Sequence, residues 1–549
     1  MTLKPIEIET PSNPQVESLA QKLEQQCSAG FALAVIKDGV TIHKQHYGAA
    51  DVAHNVAVNT DTKFPIASIS KIYTAVILHH LVKEGMVELD KPLNHYVPET
   101  EDAGKASLRS VLLMTSGLCD AFEVFMMSGA SNLTTHKIAE HFLAEQIFLA
   151  EGQSYQNHFI YSNSAYIFLA QLIENVTGKS YETVLKEVIF EPLGLNDTDY
   201  FDGRWRVVEN LATPNVLGDD ERDDAGAENY IGRFFRNMAG AGHLAATLDD
   251  MVIFAKALAG FKLCGVNVND MLKKDSLIGE IPSFYGHGLQ AVPLNNRFRM
   301  IGHNGSYHGI KTALFIEPKT NAVIVLLSND NDIDAVKWAV DFLAAASGEA
   351  LAFKVLADDV ENKDALNAEP WLCADTGLGA TLYRDSHLRQ IEIFGDKKDL
   401  IFLGEGKYMV PYAVAPIFLS VIDAENYTLN IGGVVHKLQP VQGFAEAPKN
   451  FMEYVGRYKN PNSEIENHVK SDFKGGLNMQ FGGVFNAIED APLRPIAKDY
   501  FSCEITEYNG APLSIYVRFE REQFSQMISG YSIHAMRVPS LTFRRLKTV

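Results

Sequence analysis

The chain has 549 residues, 46% hydrophobic, 10% aromatic and 21% charged. That is the ordinary balance of a globular protein, so disordered, collagen-like and coiled-coil classes are excluded. Lys and Arg total 48 against 68 Asp and Glu, a formal charge of −20, and no long basic run occurs, so neither nucleic acid nor a membrane is an expected partner.

Residues 1–15 are polar and lack the basic start and apolar core of a secretory signal. The longest apolar stretches, such as residues 322–327, fall far short of the ~20 residues a bilayer span needs. Cys27, Cys119, Cys264, Cys373 and Cys503 stand far apart with no CxxC pair, which speaks against a disulfide framework or a cysteine zinc site and for a reducing compartment. The expected address is the cytoplasm, or the periplasm where a signal has been cut away.

Residues 14–29 predict a helix. Residues 31–36 and 40–44 flank Asp38-Gly39, the signature of a hairpin with a type I′ turn. Residues 64–260 are mostly helical in pattern, with breakers at Gly85, Pro92, Gly117, Gly178 and Pro192. Strand patterns return at 297–301, 311–316 and 322–327, followed by a helix over 335–346. Strands, helices, strands and a helix suggest one sheet built from both ends of a segment, with a helical insertion. Beyond about Ala365, short alternating runs such as 390–394, 427–431 and 513–519 are separated by regular turn signals, as in small antiparallel β domains. A joint at 447–450 divides them. The expected domains are a first over 1–360 and two small antiparallel β modules over 365–445 and 450–549.

Three motifs carry chemistry. Ser68-Ile69-Ser70-Lys71 opens the segment 71–82, which is apolar almost all round and predicts a buried helix. At i, i+3 the hydroxyl and the amine share a face. Free backbone N–H groups at a helix start favour a developing oxyanion. A lysine whose pKa burial lowers can accept the serine proton. The pattern alone is cheap: about two chance matches are expected in such a chain, and Ser471-Asp472-Phe473-Lys474 is another, without an apolar helix behind it. A helix-start serine beside a surface lysine is the bland alternative.

Tyr161-Ser162-Asn163 precedes an amphipathic helix over 165–175, with Asn163-Ser164 expected as its cap. A tyrosine beside a cationic lysine can have its pKa depressed and act as a base, while the Asn163 amide can hydrogen-bond the lysine and a substrate amide. A core tyrosine next to a capping Asn is the alternative. His303-Asn304-Gly305-Ser306 is expected between the strands 297–301 and 311–316. There Gly305 would let substrate backbone approach, and the Ser306 amide could pair with that of Ser68 as an oxyanion hole. Otherwise His303 is a satisfied β-edge histidine.

The order Ser68, Tyr161, His303 resembles that of the penicillin-recognising serine hydrolases. Further stretches are similar to that family: 112–118, 174–178 with 191–195, 238–242 with 249–251, 285–288, 317–318 and 326–329. The resemblance covers about residues 30–350. It implies a β-lactamase-like α/β (α+β) domain, an antiparallel sheet flanked by helices, with a mostly helical subdomain over about 85–250. Tyr-x-Asn resembles the class C β-lactamase branch. His303, where lactamases carry Lys, resembles esterases and D-aminopeptidases of this fold, and removes the cation that would hold a β-lactam carboxylate.

The layout resembles that of D-aminopeptidase, which implies a β-lactamase-like serine hydrolase catalytic domain over 1–360 followed by two antiparallel β-barrels, 365–445 and 450–549. In that enzyme a loop of the last barrel presents an acid to the substrate ammonium. The matching stretch here, 482–493, offers Asp490 first and Glu489 second, because a buried ammonium must be paired; a solvated acidic turn is the alternative. The resemblance thus implies Ser68, Lys71 and Tyr161 as catalytic residues. Asn163, His303, Gly305, Ser306, Asp490 and Glu489 would bind substrate.

The acidic run 219–224 lacks the calcium-loop pattern, and His79-His80 lacks zinc spacing. No metal and no cofactor are expected. The expected activity is release of an N-terminal D-amino acid from a small peptide, amide or ester substrate. Alternatives are a carboxylesterase, a D,D-peptidase or weak β-lactamase, and a catalytically silent binding protein. The barrels leave lipid binding and a homodimer open.

Overall fold

The computed structural model describes residues 13–100, 103–120, 123–124, 127, 158–201, 207–218, 228–231, 238–272, 277–278, 281–282, 284–353, 366–446, 451–461, 465–472, 474–482, 491–505 and 513–546. Helix α1 (Pro14–Gln26) is capped by the Asn13 side chain and ends where Cys27 turns extended, three residues before the predicted limit. Strands β1 (Gly30–Lys37) and β2 (Val40–Asp51) follow. Asp38 and Gly39 take φ of 51° and 79°, the two left-handed residues that a I′ turn requires.

Beyond the short β3 (Val56–Ala57) lie α2 (Ser70–Lys83), α3 (Asn163–Thr177) and α4 (Leu248–Ala259). Then come β4 (Gln290–Pro293), β5 (Arg299–Tyr307), β6 (Ile310–Glu317), β7 (Ala322–Ser328) and α5 (Ala335–Ser347). The strands form one antiparallel sheet in the order β4-β5-β6-β7-β1-β2-β3. β1 pairs with β7 from Phe31↔Ser328 to Lys37↔Ala322, so strands from both ends of the segment meet at the centre of the sheet.

The central strands β6, β7 and β1 are buried on both faces, which is why they carry nearly continuous apolar runs rather than alternation. Phe31, Leu33 and Val35 pack with Val16, Leu23, Phe342 and Leu343 of the terminal helices. Ala32, Ala34 and Ile36 face the other way, onto Ile72, Val76 and the rest of the helical side. Tyr73 of α2 stacks on Phe254 of α4 at 4.1 Å, so α2 is enclosed all round.

Among the described residues of 64–260, short strands interrupt the predicted helical pattern. Leu244–Ala246 forms a strand between Phe64–Pro65 and Thr198–Tyr200, and Asn215–Gly218 pairs with Glu228–Ile231. Two- to four-residue strands are too short to show a period of two against a helical background. The acidic run 219–224 and the joint 447–450 lie outside the described residues.

Residues 367–440 form a nine-stranded antiparallel sheet. Its two edge strands, Asp396–Asp399 and Ile401–Gly404, are consecutive in sequence with only Leu400 between them, so the sheet curls until its edges nearly meet. Trp371 stacks on Tyr427 at 4.2 Å in its core. Residues 456–545 form a closed eight-stranded barrel whose first and last strands pair at Tyr458↔Arg545. Its interior is filled by rings, with Tyr531 4.9 Å from both Tyr458 and Phe543. Closure leaves this barrel no open strand edge. No helix among the described residues is long and apolar enough to cross a membrane.

Candidate active site

Ser68 is held by a crossing of backbone. The two-residue strand Phe64–Pro65 pairs with Leu244–Ala246, and the Ile66 N–H continues the ladder to Leu244 O at 2.8 Å. Ala67 then takes φ +47°, a conformation costly for a residue with a Cβ. A single 3₁₀ turn, Ala67–Ile69, carries Ser68 into α2.

The strand β5 clamps this turn from the other side. A Cβ added at Gly305 would lie 2.3 Å from both Ile66 O and Thr312 Oγ1, and Thr312 Oγ1 donates to Ile66 O at 3.1 Å. Gly305 therefore makes room for the backbone that holds Ser68, where the sequence suggested room for substrate. The motif His303–Ser306 lies inside β5 rather than between strands. Because β4 covers β5 only as far as Gly302, residues 303–307 keep an edge open beside Ser68. Ser306 is exposed on that edge, and its Oγ accepts from Lys311 Nζ at 3.0 Å.

Lys71 is completely buried. Its Nζ lies 3.1 Å from Ser68 Oγ, 2.8 Å from Asn163 Oδ1 and 2.8 Å from the Ala241 carbonyl. Burial holds its pKa well below the ordinary lysine value; Asp120 pulls it up and Arg537 pushes it down. The Ala241 carbonyl comes from the small-residue turn 238–242, which also offers Gly240 O to Thr74 and Gly242 O to Tyr307, each at 2.7 Å.

Tyr161 lines the cleft together with Ser68, and its ring centroid is 4.9 Å from Lys71 Nζ. Its pKa is not depressed as the sequence suggested. Burial pushes the phenol up, more than the Ser68 hydroxyl and the Arg537 charge pull it down. The α3 cap is Ser162, whose Oγ accepts from the Ala165 amide, rather than Asn163-Ser164. That shift leaves the Asn163 side chain free to turn inward to Lys71.

His303 is 1% exposed and is not among the residues lining the cleft. Its Nδ1 donates to Asn304 O at 2.5 Å and its Nε2 accepts from Tyr285 at 3.2 Å. Burial first, and the Lys71 charge second, lower its pKa to about 3, so the ring is a neutral support behind Tyr161, 6.1 Å away. Tyr285 itself stands in an isolated bridge to Gln290 rather than in a strand, and the turn at Gly288, φ +71°, lets this stretch run against α2, where a Cβ would meet Lys71 O at 2.6 Å.

The site opens into a cleft of about 720 Å³ lined by all three β bodies. Ser68, Tyr161, Asn163, Asn304 and Ser306 form its floor. Asp396, Lys398, Val414, Ala415 and Ile417 come from the nine-stranded sheet, and Met536 and Arg537 from the closed barrel. Asp490 and Glu489 lie outside the described residues. No group of three or more metal-ligating side chains is present among the described residues; His79 instead contacts His287 at 2.8 Å.

Three contributors had no role assigned from the sequence. The Ala241 carbonyl is main chain and carries no side-chain signal. Asp120 lies two residues beyond the stretch 112–118, and that nearness was the available clue. Arg537 sits in a two-residue turn with nothing around it to mark it.

A family model described as Beta-lactamase matches residues 17–346. A D-aminopeptidase of Brucella canis is 24% identical over 519 residues, covering 91% of this chain and 92% of that protein. The octameric penicillin-binding protein homologue from Pyrococcus abyssi superposes with a TM-score of 0.55 at 21% identity, covering 77% of this chain and 99% of its own. The crystal structure of SurE superposes with a TM-score of 0.53 at 19% identity over 97% of this chain and 98% of its own.

Proposed function

As the chain belongs to the Beta-lactamase family, we propose that it is a serine hydrolase working through an acyl-enzyme on Ser68. The observation that carries this is the environment of Lys71 Nζ. A neutral amine has two protons and one lone pair. Two carbonyl oxygens at 2.8 Å take the protons, and the lone pair is left for Ser68 Oγ at 3.1 Å. Burial favours that neutral form.

In the reaction, Lys71 accepts the Ser68 proton as Oγ attacks an amide or ester carbonyl. The carbonyl oxygen becomes an oxyanion facing the Ser68 and Ser306 amides, and losing one such donor costs roughly 10²–10³ in rate. Tyr161, which keeps its proton at rest, gives it to the leaving group and recovers one from Lys71. Water then attacks the acyl-enzyme by the reverse route. Ser68→Ala should abolish turnover and remove the covalent adduct that a fluorophosphonate leaves on this residue, read by intact mass. Full hydrolysis by Ser68→Ala would refute the assignment.

For the substrate, the favoured reading is release of an N-terminal D-amino acid, supported by the 24% identity to D-aminopeptidase across nine-tenths of both chains. A second reading has its own support. Among the described residues the cleft presents Lys311 and Lys398 against the acid Asp396, which Lys398 pairs at 2.6 Å, while the Arg537 guanidinium is taken up by Asp120 at 2.7 Å. Lys311, across the strand pair from Ser306, is placed to hold a substrate carboxylate, as a D,D-peptidase would need. Matched D- and L-aminoacyl p-nitroanilides, free and N-acetylated, beside peptides ending in D-Ala-D-Ala, separate the two. Loss of rate on acetylation supports the aminopeptidase, and cleavage of only the acidic peptides supports the other.

A further inference from the structure

An unbroken line of polar side chains joins Lys71 to the closed barrel. Lys71 Nζ donates to Asn163 Oδ1 at 2.8 Å. The Asn163 backbone N–H and Nδ2 donate to the two oxygens of Asp120, each at 3.1 Å. Asp120 is completely buried, and Arg537 Nη1 donates to its Oδ2 at 2.7 Å across 417 positions of sequence. Arg537 lies in the turn between the barrel strands Ile528–Ala535 and Val538–Arg545.

The main chain locks this turn from both sides. Arg537 N–H donates to Glu123 Oε2 at 2.9 Å, and Asp120 N–H donates to Arg537 O at 3.3 Å. The guanidinium also rests 5.1 Å from the centroid of the Tyr161 ring. The arrangement is a socket for one cation, and the cation arrives from a different β body than the nucleophile.

We propose that Arg537 is a positioning residue of the hydrolytic reaction: it holds Asp120, and through Asp120 and Asn163 it holds Lys71 against Ser68 with its lone pair free. This rests on the reading of Ser68 as nucleophile and Lys71 as base. A buried carboxylate two links from Lys71 would by itself favour the ammonium, which cannot accept the Ser68 proton. Arg537 cancels that field, and so keeps the amine usable near neutrality.

Among the described residues, the other groups facing Lys71 carry no charge that could do this. The phenols of Tyr161 and Tyr166, whose rings lie 4.9 and 5.8 Å from Nζ, are pushed up by burial, and His303 of β5 is held neutral at about 3. Glu123, beside Arg537, is raised to about 7 by burial. It adds a titration of its own, so the comparison is made in a Glu123→Gln background.

The test is the rate of Ser68 labelling by a fluorophosphonate as a function of pH, on the full chain. Arg537→Gln should move the acid limb of that profile up by about one unit, because Asp120 is then uncompensated. Asp120→Asn should move it down, because Arg537 then acts alone. The double variant should return to within a few tenths of a unit of the parent. Arg537→Lys should keep the limb in place at a several-fold lower rate.

Slower labelling with every limb unmoved would overturn the relay and leave Arg537 as a mere anchor. A parent protein that does not label at Ser68 at all would overturn the nucleophile reading beneath it. Should Arg537→Gln fail to fold, Asp120→Asn decides alone: a downward shift supports the relay and an unmoved limb overturns it.

Discussion

The two C-terminal β bodies both reach the cleft, but they bring different things to it. The nine-stranded sheet brings a wall: Val414, Ala415, Ile417 and Ile431 are apolar, and its charges Asp396 and Lys398 neutralise each other at 2.6 Å. Among the described residues, the closed barrel brings a hairpin turn whose guanidinium enters a buried hydrogen-bond chain ending on the Lys71 amine. A wall acts on whatever occupies the cleft, whereas a charge in the chain acts on the machinery even when the cleft is empty. Substitutions in the sheet should therefore alter substrate binding, and substitutions at the hairpin should alter stability and the chemical step.

The largest effect should follow Arg537→Ala. It leaves the Asp120 carboxylate buried without its guanidinium partner, and should cost about 2–3 kcal/mol of stability in denaturant unfolding beyond its effect on rate. A loss no larger than that of an exposed arginine would erase the distinction between the two bodies. Next is Glu123→Gln. The Glu123 pKa is raised to about 7 in the fold from an ordinary carboxylate value, so folding stability is fully present in acid and is lost as pH rises through about 7. Glutamine escapes that loss while still accepting the Arg537 amide, so the variant should gain on the order of 1–2 kcal/mol above pH 7 and nothing in acid. Thermal melts across that range check the sign. The smallest effect should come from the wall: Val414→Ser should raise KM by about three- to tenfold at unchanged kcat. A fall in kcat there would mean that the sheet, too, takes part in chemistry.

What could be read in advance follows how local each cause is. Asp38-Gly39 announced its hairpin because two adjacent residues with positive φ are a local requirement. Ser68 and Lys71 were legible because one turn of helix separates them and α2 is apolar all round. Gly305 was noticed for the wrong reason: its missing Cβ serves the Ile66 carbonyl of its own chain, and close packing between distant backbones leaves no pattern along a sequence. His303 was placed on the cleft wall by its motif, yet residues alternate along β5, and its side chain falls on the side where Tyr285 receives it. The Asp120–Arg537 pair spans 417 positions, and nothing in the spacing of either residue announces the other.

That separation also has a temporal side. Chains are made from the N-terminus and their domains fold in that order as they emerge. The portion bearing Ser68, Lys71 and Asn163 can therefore take shape while Asp120 still waits for its counter-charge. On the relay inferred above, a chain whose last hairpin has not yet docked would hold Lys71 nearer its charged form, so the site would be complete only when the final barrel is in place.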